Sequence, residues 1–326
     1  MDMKLLWFFT ANTAKSFVDE THDRNGFGTT MQTLVVQEAL DQPFLLKTLF
    51  ALAGLHMQYL GQGVDDKMIL RYRAEAFRDY RSAIENATPA SMQALLANAV
   101  LIEVLPCDMF RDPETPDLYI LDWILLWRGI HSVISLLGKK PTKAAWKSGT
   151  GTLLIREPLR IDGALDAVPV ALIQMVDSIT SDENDPDYPI AEAYRDTLSL
   201  LGALYKRLCT DDKYAETFRI LTWVTFLPEE FIQATRRKAP RALVILGHYG
   251  GFLKLLQTLW WARGVGDRCI RDIIAYLGPE WHHEMEIPAA VSLATNDEEI
   301  KQILLTPARC RPIVGLPLLI PGLAEM

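Results

Sequence analysis

The chain has 326 residues, of which 49% are hydrophobic and 9% aromatic, including 8 tryptophans. A chain of this length and composition can bury a large core, and many tryptophans are typical of proteins that enclose apolar ligands. The formal net charge of −8 argues against binding of nucleic acid by this chain alone, because such binding needs a concentrated lysine and arginine surface.

The four cysteines, Cys107, Cys209, Cys269 and Cys310, stand far apart, with neither a Cys-x-x-Cys pair nor a cysteine–histidine ladder. This spacing excludes a sequence-local zinc site, and with it a zinc-cluster DNA-binding motif. The apolar run at residues 5–9 is too short for a signal peptide, and no run reaches the ~20 apolar residues of a membrane span. We therefore expect free thiols and a cytoplasmic protein without a membrane span.

Helical periodicity dominates the first half of the chain. The second predicted helix opens at Pro43, where a proline costs no hydrogen bond, and the third opens at Asp65 and Asp66, which we interpret as helix caps. The predicted helices of this half span residues 3–18, 43–60, 65–87, 90–105 and 118–138. The last of them is apolar nearly all round and is therefore expected at the centre of the fold.

The second half is also predicted to be helical, with helices over residues 165–181, 189–209, 212–237, 240–263 and 267–278. Residues 138–164, rich in Gly, Lys and Pro, predict either a long surface connection or a domain boundary. The apolar tail contains Pro312, Pro317 and Pro321, so we expect it to be extended. No alternating pattern predicts a sheet. The sequence thus predicts an all-α protein, a single large helical bundle around an apolar cavity over residues 1–326.

Six segments follow one another in a distinctive order. They are DMKLLWFFTANTAKSF, QPFLLKTLFALAGLHMQYL, YRAEAFRDYRSAI, DWILLWRG, RALVILGHYGGFLKLLQTLWWARGVGDRCIRDI and LGPEW. In this order they resemble the C-terminal regulatory domain of fungal zinc-cluster transcription factors of the sterol-uptake type. The likeness runs over residues 2–290 and contains no catalytic signature. It implies a helical fold around an apolar pocket.

The resemblance implies two alternative functions. The regulators carry a zinc cluster before this domain, whereas this sequence opens with Met1 where the domain begins. Stand-alone relatives include non-canonical class I sesquiterpene cyclases of the humulene type from fungal secondary metabolism. That likeness implies a lyase that uses Mg²⁺ to ionise and cyclise farnesyl diphosphate, and it is our leading interpretation. The alternative is a nuclear, ligand-sensing domain that binds a sterol or terpenoid and needs no cofactor.

A cyclase of this kind holds Mg²⁺ with carboxylates, and two segments contain candidate ligands. Asp177, Ser181 and Asp185 are spaced i, i+4, i+8 and share one helix face, like the second metal motif of class I cyclases with Asp in place of Glu. Asp108 and Asp112 follow an apolar helix, where a first metal motif would lie. A solvated acidic loop and a connection between helices are the alternatives that need no metal.

Glu103, Arg128 and Tyr249 are the residues expected at the reacting centre. Glu103 interrupts an apolar helix, where a carboxylate must be paired, protonated or bound to metal unless it points to solvent. Arg128 lies in another apolar helix, and a structural ion pair is the alternative for it. Tyr249 is expected to face the apolar ligand.

The remaining candidates would hold the two ends of an apolar diphosphate. The candidate diphosphate ligands are Arg71, Arg236 and Arg241. The candidate cavity residues are Trp123, Trp127, Phe252, Trp260, Trp261 and Met285. Aromatic faces stabilise a carbocation, but aromatic residues at helical spacing are also ordinary core. Under either function the expected partner is an apolar small molecule, and the oligomeric state is left open.

Overall fold

The computed structural model describes residues 2–17, 27–137, 163–208 and 213–306. All regular secondary structure in these ranges is helical, which confirms the all-α prediction. The α-helices are α1 Asp2–Phe8, α2 Phe27–Thr30, α3 Val36–Asp41, α4 Pro43–Tyr59, α5 Asp66–Glu85, α6 Met92–Leu101, α7 Ile120–Leu137, α8 Val170–Thr180, α9 Ala191–Arg207, α10 Lys213–Thr222, α11 Glu229–Arg236, α12 Pro240–Lys254, α13 Val265–Leu277, α14 Glu286–Leu293 and α15 Asp297–Leu305.

Helix ends follow the local chemistry of the sequence. Pro43 occupies the first turn of α4, and the side chain of Asp65 accepts a hydrogen bond from the Lys67 amide at the start of α5. Asp65 is therefore a cap, as predicted, whereas Asp66 is the first residue of α5 and accepts a hydrogen bond from the Gln58 side chain. Asn296 caps α15 in the same way, through the amide of Glu299. The sequence analysis did not predict α15, although this asparagine and the acidic turn after it are a start signal.

Several predicted helices are shorter than their apolar patterns. The helix predicted over residues 90–105 is α6, followed by a 3-10 segment at Ile102–Arg111 that contains Pro106. A proline inside an α-helix loses a hydrogen bond and clashes with the preceding turn, so the tighter segment replaces the α-helix there. Pro228 likewise separates α10 from α11. The helix predicted over residues 240–263 ends at Lys254.

The structure adds helix where none was predicted and leaves two predictions outside its described ranges. Residues 27–41, for which no helix was predicted, form α2, a π-helical turn and α3. The predicted connection at 138–164 lies almost entirely outside the described residues, and so does the proline-containing tail. Those two predictions stay predictions.

Helices α4 and α12 are the most deeply buried long helices of their respective halves. Helix α4 packs against α1, α5 and α6, and α12 packs against α13 and α14. The crossing of α12 with α13 requires Gly266, because a Cβ at this position would lie 2.4 Å from the backbone nitrogen of Lys254. The helices form one continuous apolar cluster from Leu5 to Leu304 within the described residues.

One helical stretch, Met92–Arg111, is long and apolar enough to cross a membrane by length and composition. Of its most apolar window, 78% is buried inside the protein. Burial of this extent is the property of a core helix, because a membrane span exposes its side chains to lipid.

A buried ion pair fixes the connection between the 3-10 segment and α7. Arg268 on α13 contacts Asp272 at 2.8 Å and donates to the backbone oxygen of Thr115 at 2.7 Å. Asp272 also accepts from the amide of Leu118, which has the unusual φ of 61° for a residue other than glycine. The connection is therefore held to α13 by charge-assisted hydrogen bonds.

Candidate functional site

A cleft of about 510 Å³ lies between α5, the end of α6 with its 3-10 continuation, and α7. We call it the α5–α7 cleft. Its lining residues are Phe77, Tyr80, Arg81, Ile84 and Glu85 from α5, Ala99, Ile102 and Glu103 from the second wall, and Leu125, Leu126 and Gly129 from α7. The volume lies within the range of small-molecule sites, about 300–1,000 Å³.

The walls of the cleft arise from helical spacing. Residues 77, 80, 81, 84 and 85 are related by steps of three and four, so they share one face of α5. On this face Phe77 and Ile84 are half-buried, and Leu125 and Leu126 on α7 are half-buried as well. Arg81 and Glu85 are exposed. The cleft therefore has an apolar interior, with one cation and one anion among its exposed lining residues.

Glu103 is the most unusual group in the cleft. It is 5% exposed, and its Oε2 atom has no hydrogen-bond partner in the part of the chain that the structure describes. Burial raises the pKa of this carboxyl well above its usual value of 4.5. Burial therefore favours the uncharged form of this side chain, which has one O–H donor.

The side-chain donors next to Glu103 form hydrogen bonds with backbone oxygens and not with its carboxyl. The indole Nε1 of Trp123 donates to the backbone oxygen of Glu103 at 3.3 Å, and not to its carboxyl. The Tyr80 hydroxyl donates to the backbone oxygen of Leu95 at 3.0 Å. Burial, and to a smaller extent the nearby Glu103 carboxyl, raises the pKa of Tyr80, so this phenol also stays neutral. The site can thus hold an uncharged molecule that is mostly apolar and carries a hydrogen-bonding group.

The predicted metal ligands lie in ion pairs or turns. Asp177 is exposed and pairs with Arg195 at 2.8 Å, and the Ser181 hydroxyl donates to the backbone oxygen of Asp177. Asp185 is bound by Arg241 at 2.7 Å. Arginines pair with both carboxylates. Helix α8 ends at Thr180, so Ser181 and Asp185 lie beyond the helix whose face they were predicted to share with Asp177.

The second predicted metal segment is divided in a similar way. Asp108 pairs with Arg73 at 2.7 Å, and Asp112 accepts a hydrogen bond from the amide of Glu114. No three His, Cys, Asp or Glu side chains within the described ranges are grouped so as to hold a metal ion. The magnesium site stays a prediction.

The predicted diphosphate ligands lie on three different helices. Arg71 is exposed on α5 and lies over the ring of Tyr72, and Arg236 is exposed in the last turn of α11. Arg241 lies in the first turn of α12 and forms ion pairs with Asp185 and Asp187. These contacts account for Arg241 structurally, because both aspartates neutralise it.

Two of the three residues expected at a reacting centre have structural partners. Arg128 donates to the backbone oxygen of Leu227 at 2.7 Å and to Glu229 at 2.6 Å, the ion pair that was the alternative for it. The Tyr249 hydroxyl donates to the backbone oxygen of Ile220 at 2.9 Å. Glu103 is the third, and it alone lines the α5–α7 cleft.

The predicted cavity residues are buried, and none of them lines the α5–α7 cleft. They pack against other core residues: Trp123 against Trp127, Trp260 against His56, Trp261 against Phe17, Phe252 against Tyr205, and Met285 against Gly247. The described residues do not show the expected central cavity. The α5 wall was not predicted, although the apolar residues at 77, 80 and 84 around Arg81 indicate a half-buried helix face.

Comparison with known proteins places the chain near one class of regulator. No family model matches it. A Zn(2)-C6 fungal-type transcription factor of Gibberella zeae is 19% identical over 319 residues, which cover 90% of this chain and 62% of that protein. The chain therefore spans about 62% of the length of this curated relative. The similarity is distant, and it supports a relation to a fungal transcription-factor family.

Proposed function

We propose that the chain is a regulatory domain that senses an apolar small molecule, related to the corresponding part of fungal zinc-cluster transcription factors. The observation that carries this proposal is the α5–α7 cleft, where an apolar interior surrounds the buried carboxyl of Glu103. A binding site of this kind orients a ligand with few polar groups. The distant similarity to a transcription factor over 90% of the chain supports a regulatory role.

The charge of the chain assigns DNA contact to another part of the regulator or to a partner. A formal charge of −8 repels the phosphate backbone, so this chain would act by passing a ligand-dependent change to the DNA-contacting component. Under this proposal the protein works in the nucleus.

The contacts of the acidic residues favour a sensor over a cyclase. Asp177, Asp185 and Asp108 each pair with an arginine at 2.7–2.8 Å, and metal binding would require these pairs to break. A cyclase also needs a closed site from which water is excluded. Incubation of the full chain with farnesyl diphosphate and Mg²⁺ should therefore release no pyrophosphate. Release of pyrophosphate with a cyclic hydrocarbon would overturn the regulatory proposal.

Titration with Nile red, a neutral solvatochromic dye, tests ligand binding in the cleft. We expect saturable binding that weakens about tenfold or more in Leu126→Trp, because the indole occupies the apolar interior. Leu70→Trp is the matched control, since Leu70 is 59% exposed on α5 and does not line the cleft. Binding that is absent, or equal in wild type and Leu126→Trp, would contradict the proposed site.

A further inference from the structure

We infer that the ligand of the α5–α7 cleft is an uncharged apolar molecule with a hydroxyl or carbonyl oxygen that accepts a hydrogen bond from the carboxyl of Glu103. This inference rests on the proposed function and narrows its ligand class. It distinguishes apolar alcohols and ketones from plain hydrocarbons and from diphosphate esters with an apolar chain.

The first support is the unused oxygen of Glu103. Its Oε2 is buried and has no hydrogen-bond partner among the described residues, and the side chain lines the cleft. A buried polar group without a partner is costly, and a ligand atom that completes the bond recovers this cost. The carboxyl is therefore a specific polar contact in an otherwise apolar interior.

The second support is that two donors beside Glu103, and one arginine each on α5 and α7, have other partners. Trp123 donates to the backbone oxygen of Glu103, and Tyr80 donates to Leu95. Arg73 pairs with Asp108, and Arg128 pairs with Glu229. Glu103 has no ion pair among the described residues, so its burial favours the uncharged acid, which can donate its O–H to an acceptor.

The groups that face Glu103 are consistent with an uncharged ligand. Tyr80 on α5 and Cys107 on the same 3-10 segment are both buried, and burial raises the pKa of each. Among the described side chains of α7, Leu125, Leu126 and Gly129 line the cleft. Among the described lining residues, the charged side chains of Arg81 and Glu85 are exposed and do not lie in the interior.

The exposed lining residues disfavour a diphosphate. Arg81 is their one cation, and Glu85 lies one turn further along the same helix. A diphosphate carries several negative charges, and bringing it beside a carboxylate with a single arginine in compensation is unfavourable. A hydrocarbon meets no repulsion, but it leaves the Glu103 donor unpaired.

Three ligands with the same fifteen-carbon chain test the inference: farnesol, farnesene and farnesyl diphosphate, each competing with Nile red. In wild type we expect farnesol to bind about tenfold more tightly than farnesene, as one additional buried hydrogen bond would give, and farnesyl diphosphate more weakly than farnesol. Glu103→Leu removes the donor and should make farnesol and farnesene equal. Glu103→Gln retains an amide donor of similar shape and should keep most of the preference for farnesol.

The outcomes separate this inference from the proposed function. Equal binding of farnesol and farnesene to wild type, or tighter binding of the diphosphate, would overturn the inference while cleft binding stands. If none of the three ligands displaces Nile red, the inference is overturned too. If Leu126→Trp binds Nile red as tightly as wild type, the proposed site itself is overturned. If Glu103→Leu does not fold, the inference is tested by the preference for farnesol over farnesene in wild type and in Glu103→Gln.

Discussion

Two carboxyl groups of this protein are almost equally buried and have opposite surroundings. Asp272 is 6% exposed, and it contacts Arg268 at 2.8 Å and the Leu118 amide at 3.0 Å. Glu103 is 5% exposed, and its Oε2 has no partner among the described residues. Burial alone therefore does not define the role of an acid. The partners of Asp272 use its charge to hold the fold, whereas the burial of Glu103 favours its protonated form.

The comparison has an energetic consequence. Breaking a buried ion pair leaves an uncompensated charge, which costs several kcal/mol. Replacing a buried, unpartnered polar group by an apolar one of similar shape is nearly neutral or stabilising. Substitutions at the two positions should therefore change the free energy of unfolding in opposite directions.

The largest effect is expected for Asp272→Asn. The substitution leaves Arg268 buried without its counter-charge and weakens the hydrogen bond from the Leu118 amide. We therefore expect a loss of about 3–5 kcal/mol in the free energy of unfolding. Urea denaturation followed by circular dichroism measures it. Asp122→Asn, at an exposed position on α7, is the control and should change stability by no more than about 0.5 kcal/mol. A loss below about 1 kcal/mol at Asp272 would remove the contrast between the two acids.

The pH dependence of stability should identify Glu103 as the neutral acid. Its pKa is raised above 4.5 in the folded state, so the folded protein binds more protons than the unfolded chain above that pH. The stability of wild type relative to Glu103→Gln should fall as the pH rises from 4.5 toward the raised pKa, by at most about 1.4 kcal/mol per pH unit.

Urea unfolding of both proteins between pH 5 and pH 8 measures this slope. Tyr80 and Cys107 are present in both proteins, and their raised pKa values place their titration above this window, so the difference reports Glu103. Parallel stability curves for the two proteins would show that the carboxyl does not hold a raised pKa.

A smaller effect of opposite sign to that at Asp272 is expected for Glu103→Leu. Leucine removes the unpartnered polar group and keeps a similar volume, so the unfolding free energy at pH 7 should stay equal or rise by about 1–2 kcal/mol. Thermal and urea unfolding measure it. Destabilisation by more than about 2 kcal/mol would show that the carboxyl contributes to the fold as Asp272 does.

The smallest effect is expected for Asp177→Asn. The pair with Arg195 is solvated, with the Asp177 side chain 56% exposed, and surface pairs of this kind contribute less than about 1 kcal/mol. Stability should therefore change by less than that amount. The substitution also tests the predicted metal site, because Mg²⁺-dependent turnover of farnesyl diphosphate that disappears in this variant would restore the cyclase interpretation.

The sequence by itself predicted the helical class and many helix positions, because these depend on local rules. Periodicity located α4, α5 and α7, and Pro43 and Asp65 marked two of the helix starts. The sequence also singled out Glu103, since a carboxylate in an apolar run is unusual whatever the fold.

Only the tertiary structure decided which acids have partners. Asp177 and Arg195 are 18 positions apart, Asp185 and Arg241 are 56 apart, and Leu118 and Asp272 are 154 apart. Helical spacing indicates which residues share a face only while the helix continues, and α8 ends at Thr180, before Ser181 and Asp185. It also contains no information on which arginine of another helix meets that face. Glu103 lies at the cleft because α5, α6 and α7 pack around it, and this arrangement depends on long-range packing and not on any local pattern.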